Sequence, residues 1–126
     1  MGIFVSTVEL GRKHLSSFLG VKDWTEEVED RVQKVIVQFG IDHSGICYEI
    51  VAPFGEGNPV DSVLKQRKNI LNHVAYLVPN ITETVNIFRD QGGIPLDDPK
   101  PAAAFDNRNI VFVLLPIGLI VELIEL

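Results

Sequence analysis

Length, composition and charge narrow the classes of protein to which this chain can belong. With 126 residues, of which 46% are hydrophobic and 22% charged, it has the size and apolar content of one compact domain. Its net charge of -6 argues against unspecific binding to nucleic acid or anionic lipid, which requires clustered Lys and Arg. We therefore expect neither nucleic acid nor membrane as a partner.

Cysteine content and hydropathy indicate the compartment. Cys47 is the single cysteine, so no internal disulfide can form, and no signal-peptide pattern is present. The most apolar stretch, residues 110–126, is interrupted by Pro116, Gly118 and Glu122 and is too short and too acidic to span a membrane. The sequence therefore predicts a cytoplasmic protein.

In the first half of the chain, the periodicity predicts a strand, a helix and a pair of strands. They are Gly2 to Val5, Val8 to Leu19 closed by Gly20, roughly Gln33 to Phe39, and Ile46 to Val51. The acidic stretch from Trp24 to Arg31 receives no assignment. A turn-rich bridge from Pro53 to Pro59 leads into a linker helix, Val60 to Arg67, that begins at Asn58 or Pro59.

The second half predicts the same order of elements. They are His73 to Val78, a helix from Ile81 to Arg89 with Asn80 as N-cap, Asn109 to Leu115, and Leu119 to Ile124.

The two halves also match residue by residue. Gly45 to Val51 (GICYEIV) matches Gly118 to Ile124 (GLIVELI) at an offset of 73, and each segment carries one glutamate at the same place. One repeat cannot cover both faces of its own sheet, so the two sheets must cooperate. We therefore predict an α+β fold in which two βαβββ repeats form a curved mixed-sheet cup. The whole chain would be a single domain, with repeat one at about 1–53, the linker helix at about 54–71 and repeat two at about 72–126.

The repeated glutamates are candidate metal ligands. Strand alternation puts Glu49 on one face with Cys47 and Val51, and places Glu122 in the same way in the second repeat. A carboxylate among apolar residues is costly to bury unless it is paired or binds a metal. An equally good interpretation is that the inner face of the cup is exposed to solvent and both glutamates are solvated there.

His73 opens the fourth predicted strand and would supply a nitrogen ligand beside these carboxylates. A lone strand histidine is otherwise more often a core or surface residue. A His73, Glu49 and Glu122 set suits a divalent ion such as Mn, Co, Zn, Ni or Fe(II). Subtracting 73 from His73 gives position 0, one residue before Met1. Either the chain begins one or more residues late, or the expected fourth ligand has been lost.

Several segments resemble a known family. Asn72-His73-Val74-Ala75-Tyr76, the glutamate strand and turn from Glu49 to Pro59, and Val121-Glu122-Leu123 are similar in order to methylmalonyl-CoA epimerases, of the vicinal oxygen chelate superfamily (glyoxalase/bleomycin resistance/dioxygenase). The similarity extends over nearly the whole chain. It implies a glyoxalase-like fold, a homodimer and a metal held by His73, Glu49 and Glu122, with Glu122 also a candidate catalytic base.

By the same resemblance, the enzyme removes the proton alpha to a thioester carbonyl and stabilises an enolate. The family's second base would lie on the third strand, where this chain has Gln33, Lys34 and Gln38 and no acid.

The resemblance also suggests substrate-binding residues. Lys65 and Arg67 could meet the phosphates of a CoA ester, although a solvated helix end explains them too. Cys47 could line the pocket beside Glu49, or serve only as a small apolar wall residue.

Three functions follow from these observations. The first is a metal-dependent isomerase or epimerase for a small acyl-CoA or related carbonyl substrate. The second is a non-catalytic, bleomycin-resistance-like protein that binds or sequesters a small molecule, which the missing ligand and the missing third-strand acid favour. The third is another lyase or dioxygenase of the superfamily. Fold alone does not separate them.

Overall fold

A computed structural model describes residues 1–68 and 70–126. The chain divides into two units, Met1–Asn72 and His73–Leu126. Asn69, which falls in the predicted linker, lies outside the described residues. In the part of the chain that is described, no helix has the length and apolar character needed to cross a membrane.

Among its described residues, the first unit contains four strands and two helices. In chain order they are β1 (Gly2–Phe4), α1 (Val8–Leu19), β2 (Val28–Asp30), β3 (Val35–Ile41), β4 (Cys47–Pro53) and α2 (Val60–Gln66). The strands lie in the order β2-β3-β4-β1; β2, β3 and β4 are antiparallel, and β1 is parallel to β4.

The second unit contains a helix and five strands, the first of which begins at the end of the preceding unit. The elements are β5 (Leu71–Val78), α3 (Ile81–Asp90), β6 (Ile94–Pro95), β7 (Lys100–Ala102), a 3-10 turn (Ala103–Phe105), β8 (Arg108–Leu114) and β9 (Ile120–Glu125). The order is β5-β9-β8-β6, with β7 also paired to β8. β5 is parallel to β9, whereas β8 and β9 are antiparallel.

The register of the two sheets repeats with the offset found in the sequence. Glu49 lies opposite Phe39 on β3 and Gly2 on β1. Adding 73 to each number gives the equivalent set in the second unit: Glu122, Phe112 and Ala75. The predicted α+β class and its internal repeat are therefore confirmed.

Helix ends follow local signals. Oγ1 of Thr7 accepts the Leu10 amide at 3.2 Å at the start of α1, which ends at Gly20 with a φ of 67°. Oδ1 of Asn80 accepts the Glu83 amide at 3.0 Å, which confirms the predicted N-cap of α3.

Each sheet packs one face against its own helix. In the first unit, Ile50 and Ala52 of β4 are buried together with Val8 of α1. In the second, α3 covers residues of β8 and β9 that alternate along the strands. They are Val111, Val113, Val121 and Leu123. Because successive strand residues point to opposite faces, Glu49 and Glu122 project from the faces away from the helices.

Three short strands were not predicted. β2 lies in the unassigned acidic stretch, and β6 and β7 have only two and three residues. The third strand also begins later than predicted, at Val35, because residues 31–34 form a turn.

Candidate metal centre

The predicted ligands His73 and Glu122 lie on adjacent parallel strands of the second unit. Ala75 of β5 is opposite Glu122 of β9, and His73 is two residues before Ala75, so both side chains project from the same face. Nε2 of His73 lies 3.0 Å from Oε2 of Glu122. The structure thus brings these two predicted ligands together.

Both side chains are almost completely removed from solvent. The exposed fractions are 3% for His73 and 2% for Glu122. The imidazole nitrogen and the carboxylate oxygen thus converge at a short distance inside the protein. One nitrogen and one oxygen donor that converge in this way are suited to a divalent ion such as Mn, Co, Zn, Ni or Fe(II). The pair therefore fits the metal that the sequence analysis expects.

Glu49 belongs to the first unit and lies in the middle of β4. Its exposed fraction is 8%, although a glutamate is rarely buried without a partner or an ion. Its strand neighbours Tyr48 and Ile50 point to the opposite face, and Ile50 packs with α1. Glu49 therefore occupies in its own unit the place that Glu122 occupies in the second.

Phe112 is a site residue that the sequence analysis missed. Its ring meets the imidazole of His73 edge to face, with centroids 5.0 Å apart and an interplanar angle of 73°. The signal was present in the sequence, since Phe39 and Phe112 share the offset of 73 and each precedes a repeated glutamate by ten residues.

The third-strand polar residues do not face Glu49. Gln38 is opposite Ile50, on the helix side, where Oε1 accepts a hydrogen bond from Arg12 at 2.8 Å. Nε2 of Gln38 donates to the carbonyl oxygen of Thr25 at 2.6 Å, so both polar atoms of its side-chain amide have partners within the first unit. Gln33 and Lys34, expected at the start of this strand, lie in the turn before it.

Asp30 is a buried acid in the segment left unassigned by the sequence. It ends β2 opposite Val35, and one carboxylate oxygen accepts the Gln33 amide at 2.9 Å. This hydrogen bond closes the turn between β2 and β3, as Asp side chains often do.

The predicted substrate residues are exposed. Cys47 begins β4, two residues before Glu49, and therefore lies on the same face with its thiol accessible. Lys65 is in the last turn of α2, and Arg67 is the C-cap residue with a φ of 53°. Their contribution to substrate binding stays a prediction.

A depression of about 480 Å³ lies elsewhere in the second unit. It is lined by residues such as Tyr76, Phe88 and Val121. Val121 neighbours Glu122 in β9 and points to the helix side of the sheet. This depression therefore opens on the face opposite to the His73–Glu122 pair.

Several solved structures resemble the chain in fold. A methylmalonyl-CoA epimerase from Mycobacterium tuberculosis matches with a TM-score of 0.79 and 20% identity over 98% of this chain and 83% of that one. A hypothetical protein from Bacillus halodurans C-125 matches with a TM-score of 0.83 and 21% identity over 99% and 90%. A Streptomyces coelicolor methylmalonyl-CoA epimerase variant, solved in complex with 2-nitronate-propionyl-CoA, matches with a TM-score of 0.75 and 18% identity over 98% and 92%. At these identities, the likeness shows the fold.

A family model provides the stronger relationship. No curated protein matches the sequence of the chain. The model of the Glyoxalase/Bleomycin resistance protein/Dioxygenase superfamily matches residues 1–112, which include Glu49 and His73. Since the match covers well over half of the 126 residues, the chain belongs to the Glyoxalase/Bleomycin resistance protein/Dioxygenase superfamily.

Proposed function

We propose that this protein is a metal-dependent isomerase of the epimerase type that acts on a small acyl-CoA or related carbonyl compound. His73, Glu122 and Glu49 would hold a divalent ion, since each is buried and offers one ligand atom. The observation that carries the proposal is the buried 3.0 Å contact between His73 and Glu122.

The substrate class is supported by the proteins that share the fold. They include methylmalonyl-CoA epimerases, one of them solved with methylmalonyl-CoA and NH4+ at 19% identity to this chain. Many chemistries use this scaffold, so the metal-binding residues, and not the fold alone, must support the assignment.

The proposed reaction requires a more strongly polarised carbonyl group and a carboxylate that moves a proton. When bound, a divalent ion supplies the first by stabilising negative charge on the carbonyl oxygen. Glu122 would supply the second, because its carboxylate can accept the proton alpha to the carbonyl; inversion then requires that a proton be delivered to the opposite face of the enolate. The burial of His73 and Glu122 excludes water, which strengthens electrostatic interactions at both side chains.

Metal content is the first test of the proposal. Elemental mass spectrometry of untagged protein should find close to one divalent ion per chain. Glu122→Gln and His73→Ala should each abolish it, and Glu49→Gln should weaken it, because each removes a charged or nitrogen ligand. Glu26→Gln and His14→Ala are matched controls, since both residues are exposed and should leave the metal content unchanged. A folded wild-type protein without metal would contradict the proposal.

Proton exchange tests the reaction itself. Metal-loaded protein incubated with methylmalonyl-CoA in D2O should introduce one deuterium alpha to the thioester, detected as a mass increase of the recovered substrate. Glu122→Gln should lose the exchange. If a metal-loaded protein exchanges no proton in any small acyl-CoA ester, a lyase or dioxygenase of the same superfamily becomes the better assignment.

A non-catalytic binding protein is the second candidate. It is favoured by the sequence of β3, Val35–Ile41, which contains no acid. It is also favoured by the hydrogen bonds of the Gln38 side chain with Arg12 and Thr25, which occupy its amide group. In that case, metal-free protein would be stabilised by a small apolar ligand in a thermal-shift screen, and His73→Ala would leave the stabilisation unchanged.

We also propose that the protein forms a homodimer. Large apolar side chains such as Phe18 and Ile117 are about four-fifths exposed, at 80% and 81%, and apolar surface of this kind is often covered by a second copy. Light scattering after gel filtration should give twice the chain mass of 14.0 kDa. A mass of one chain at micromolar concentration would contradict the dimer.

A further inference from the structure

We propose that Phe112 is a positioning residue for the imidazole of His73. Its edge-to-face contact fixes the plane of the imidazole so that Nε2 is directed at Oε2 of Glu122. In reading this pair as part of a metal centre, the inference rests on the proposed function.

The two contacts of the imidazole come from neighbouring strands. Phe112 of β8 lies directly opposite Glu122 of β9, a register that puts the two Cβ atoms about 5 Å apart on one face. His73 on β5 is flanked by both side chains, with the ring of Phe112 at 5.0 Å and the carboxylate of Glu122 at 3.0 Å. The imidazole therefore cannot rotate away from Glu122 without losing its contact with the ring.

The ring of Phe112 is itself held in place. It packs against a cluster on the site face of the second unit formed by Ala102, Ile110 and Ile124. Ala75 and Phe105 pack against the same cluster. These contacts come from β5, β7, β8, β9 and the 3-10 turn, so the orientation of Phe112 is fixed by the packing of the unit.

A histidine needs such support to be a good ligand. Its ring turns about two bonds and can present either nitrogen, and groups around a metal site raise affinity by fixing one orientation. An edge-to-face aromatic pair is worth about 0.5–1.5 kcal/mol, which corresponds to about a tenfold change in an equilibrium at most.

The helix face of the same sheet offers a matched control. Phe88 of α3 packs against the cluster that includes Val113 and Leu123, on the face opposite to His73. Phe88→Leu removes a ring of the same kind from the same unit and leaves the site face unchanged.

The experiment compares Phe112→Leu, Phe112→Tyr and Phe88→Leu in two measurements. In metal-free protein, the ring resonances of His73 are followed by NMR; the chain has three histidines, so His73→Ala assigns them. In the second measurement, the dissociation constant and visible spectrum of Co(II) are determined by competition with a chelator.

The expected result is specific to the loss of the ring at position 112. Phe112→Leu should shift and broaden the His73 resonances, weaken Co(II) binding about 10-fold and alter its spectrum. Phe112→Tyr keeps the ring and should restore the wild-type values. Phe88→Leu should leave the His73 resonances unchanged. If Phe112→Leu does not fold, Phe112→Ile takes its place, since a β-branched residue suits a strand.

The outcomes separate the two proposals. Unchanged His73 resonances in Phe112→Leu would overturn the positioning role, whatever happens to metal binding. Resonances that change while wild-type protein binds no Co(II) would support the positioning role and reject the metal centre of the proposed function.

Discussion

The indole of Trp24 lies against Gly40 in the first unit, so closely that the glycine has no room for a side chain. A Cβ built at Gly40 would stand 2.7 Å from Cε3 of Trp24 and 2.7 Å from Cγ1 of Val21. Nε1 of Trp24 donates to Oγ of Ser16 at 2.9 Å, which ties the indole to α1. Trp24 therefore contacts β3 through Gly40 and α1 through Ser16, and so links the strand to the helix.

We expect Gly40→Ala to lower the free energy of unfolding by about 1–3 kcal/mol, because the added methyl group overpacks this contact. Urea denaturation followed by circular dichroism measures the change. In a Trp24→Leu background, the cost of Gly40→Ala should be smaller, since part of the collision is removed. Equal costs in the two backgrounds would show that Trp24 does not restrict position 40.

Local sequence signals predicted the helices well. α1 has the predicted bounds, Val8–Leu19, because the apolar spacing and Gly20 mark both the helix and its end. β2 was missed because Val28–Asp30 has no pattern of its own, and its strand conformation comes from pairing with β3. The same reason explains the very short β6 and β7.

The residues of the candidate site were predicted from the sequence only in part. The repeat and the alternation of strand residues pointed to Glu122, whereas His73, whose repeat equivalent falls before Met1, was proposed from its place at the start of a strand. The ring contact of Phe112 with His73 was not predictable, because it depends on side-chain orientation between strands that are distant along the chain.

The second prediction concerns metal-linked stability. A ligand that binds only the folded state stabilises it by about 2.7 kcal/mol at a concentration of 100 times its dissociation constant. We therefore expect chelation to lower the melting temperature of wild-type protein by several degrees and to leave that of Glu122→Gln unchanged. Calorimetry with and without EDTA checks this. A chelator effect that persists in Glu122→Gln would place the ion elsewhere.

The third prediction concerns the start of α3. Asn80→Ala removes the side-chain acceptor for the Glu83 amide and should cost about 0.5–2 kcal/mol of stability. Asn86→Ala is the matched control, because Asn86 is exposed within the same helix and alanine favours the helical state. Denaturant midpoints should therefore fall for Asn80→Ala and stay level or rise for Asn86→Ala. Equal effects would contradict the capping role.

The fourth prediction is a titration. The hydroxyl of Ser44, at 2.7 Å, and the amides of Ile46 and Ser44 lower the pKa of Asp42 from 3.8 to about 2. A carboxyl group whose pKa is lower in the folded state stabilises the protein above its unfolded pKa. That contribution is lost as the pH falls toward 2. NMR of the side-chain carboxyl carbon should show Ser44→Ala raising the pKa of Asp42, with Ser17→Ala on α1 as the unaffected control. A pKa that is the same in both variants would show that the hydroxyl is not the main cause.

The fifth prediction tests whether the basic residues of α2 recognise the phosphates of a CoA ester. Lys65 and Arg67 are both exposed, so each contact with a phosphate would be worth only about 0.2–1 kcal/mol. Lys65→Ala combined with Arg67→Ala should therefore raise KM for an acyl-CoA substrate about 2- to 10-fold and leave kcat unchanged, since neither group touches the reacting atoms.

A truncated substrate gives this prediction its control. The matching acyl-pantetheine thioester lacks the nucleotide phosphates, so its kcat/KM should be the same for wild-type protein and for the Lys65→Ala, Arg67→Ala double variant. The difference between the two substrates should also shrink at high ionic strength, because salt screens exposed charges. An equal loss with both thioesters would mean that these substitutions disturb α2 itself, and the two residues would then belong to the helix end rather than to the substrate site.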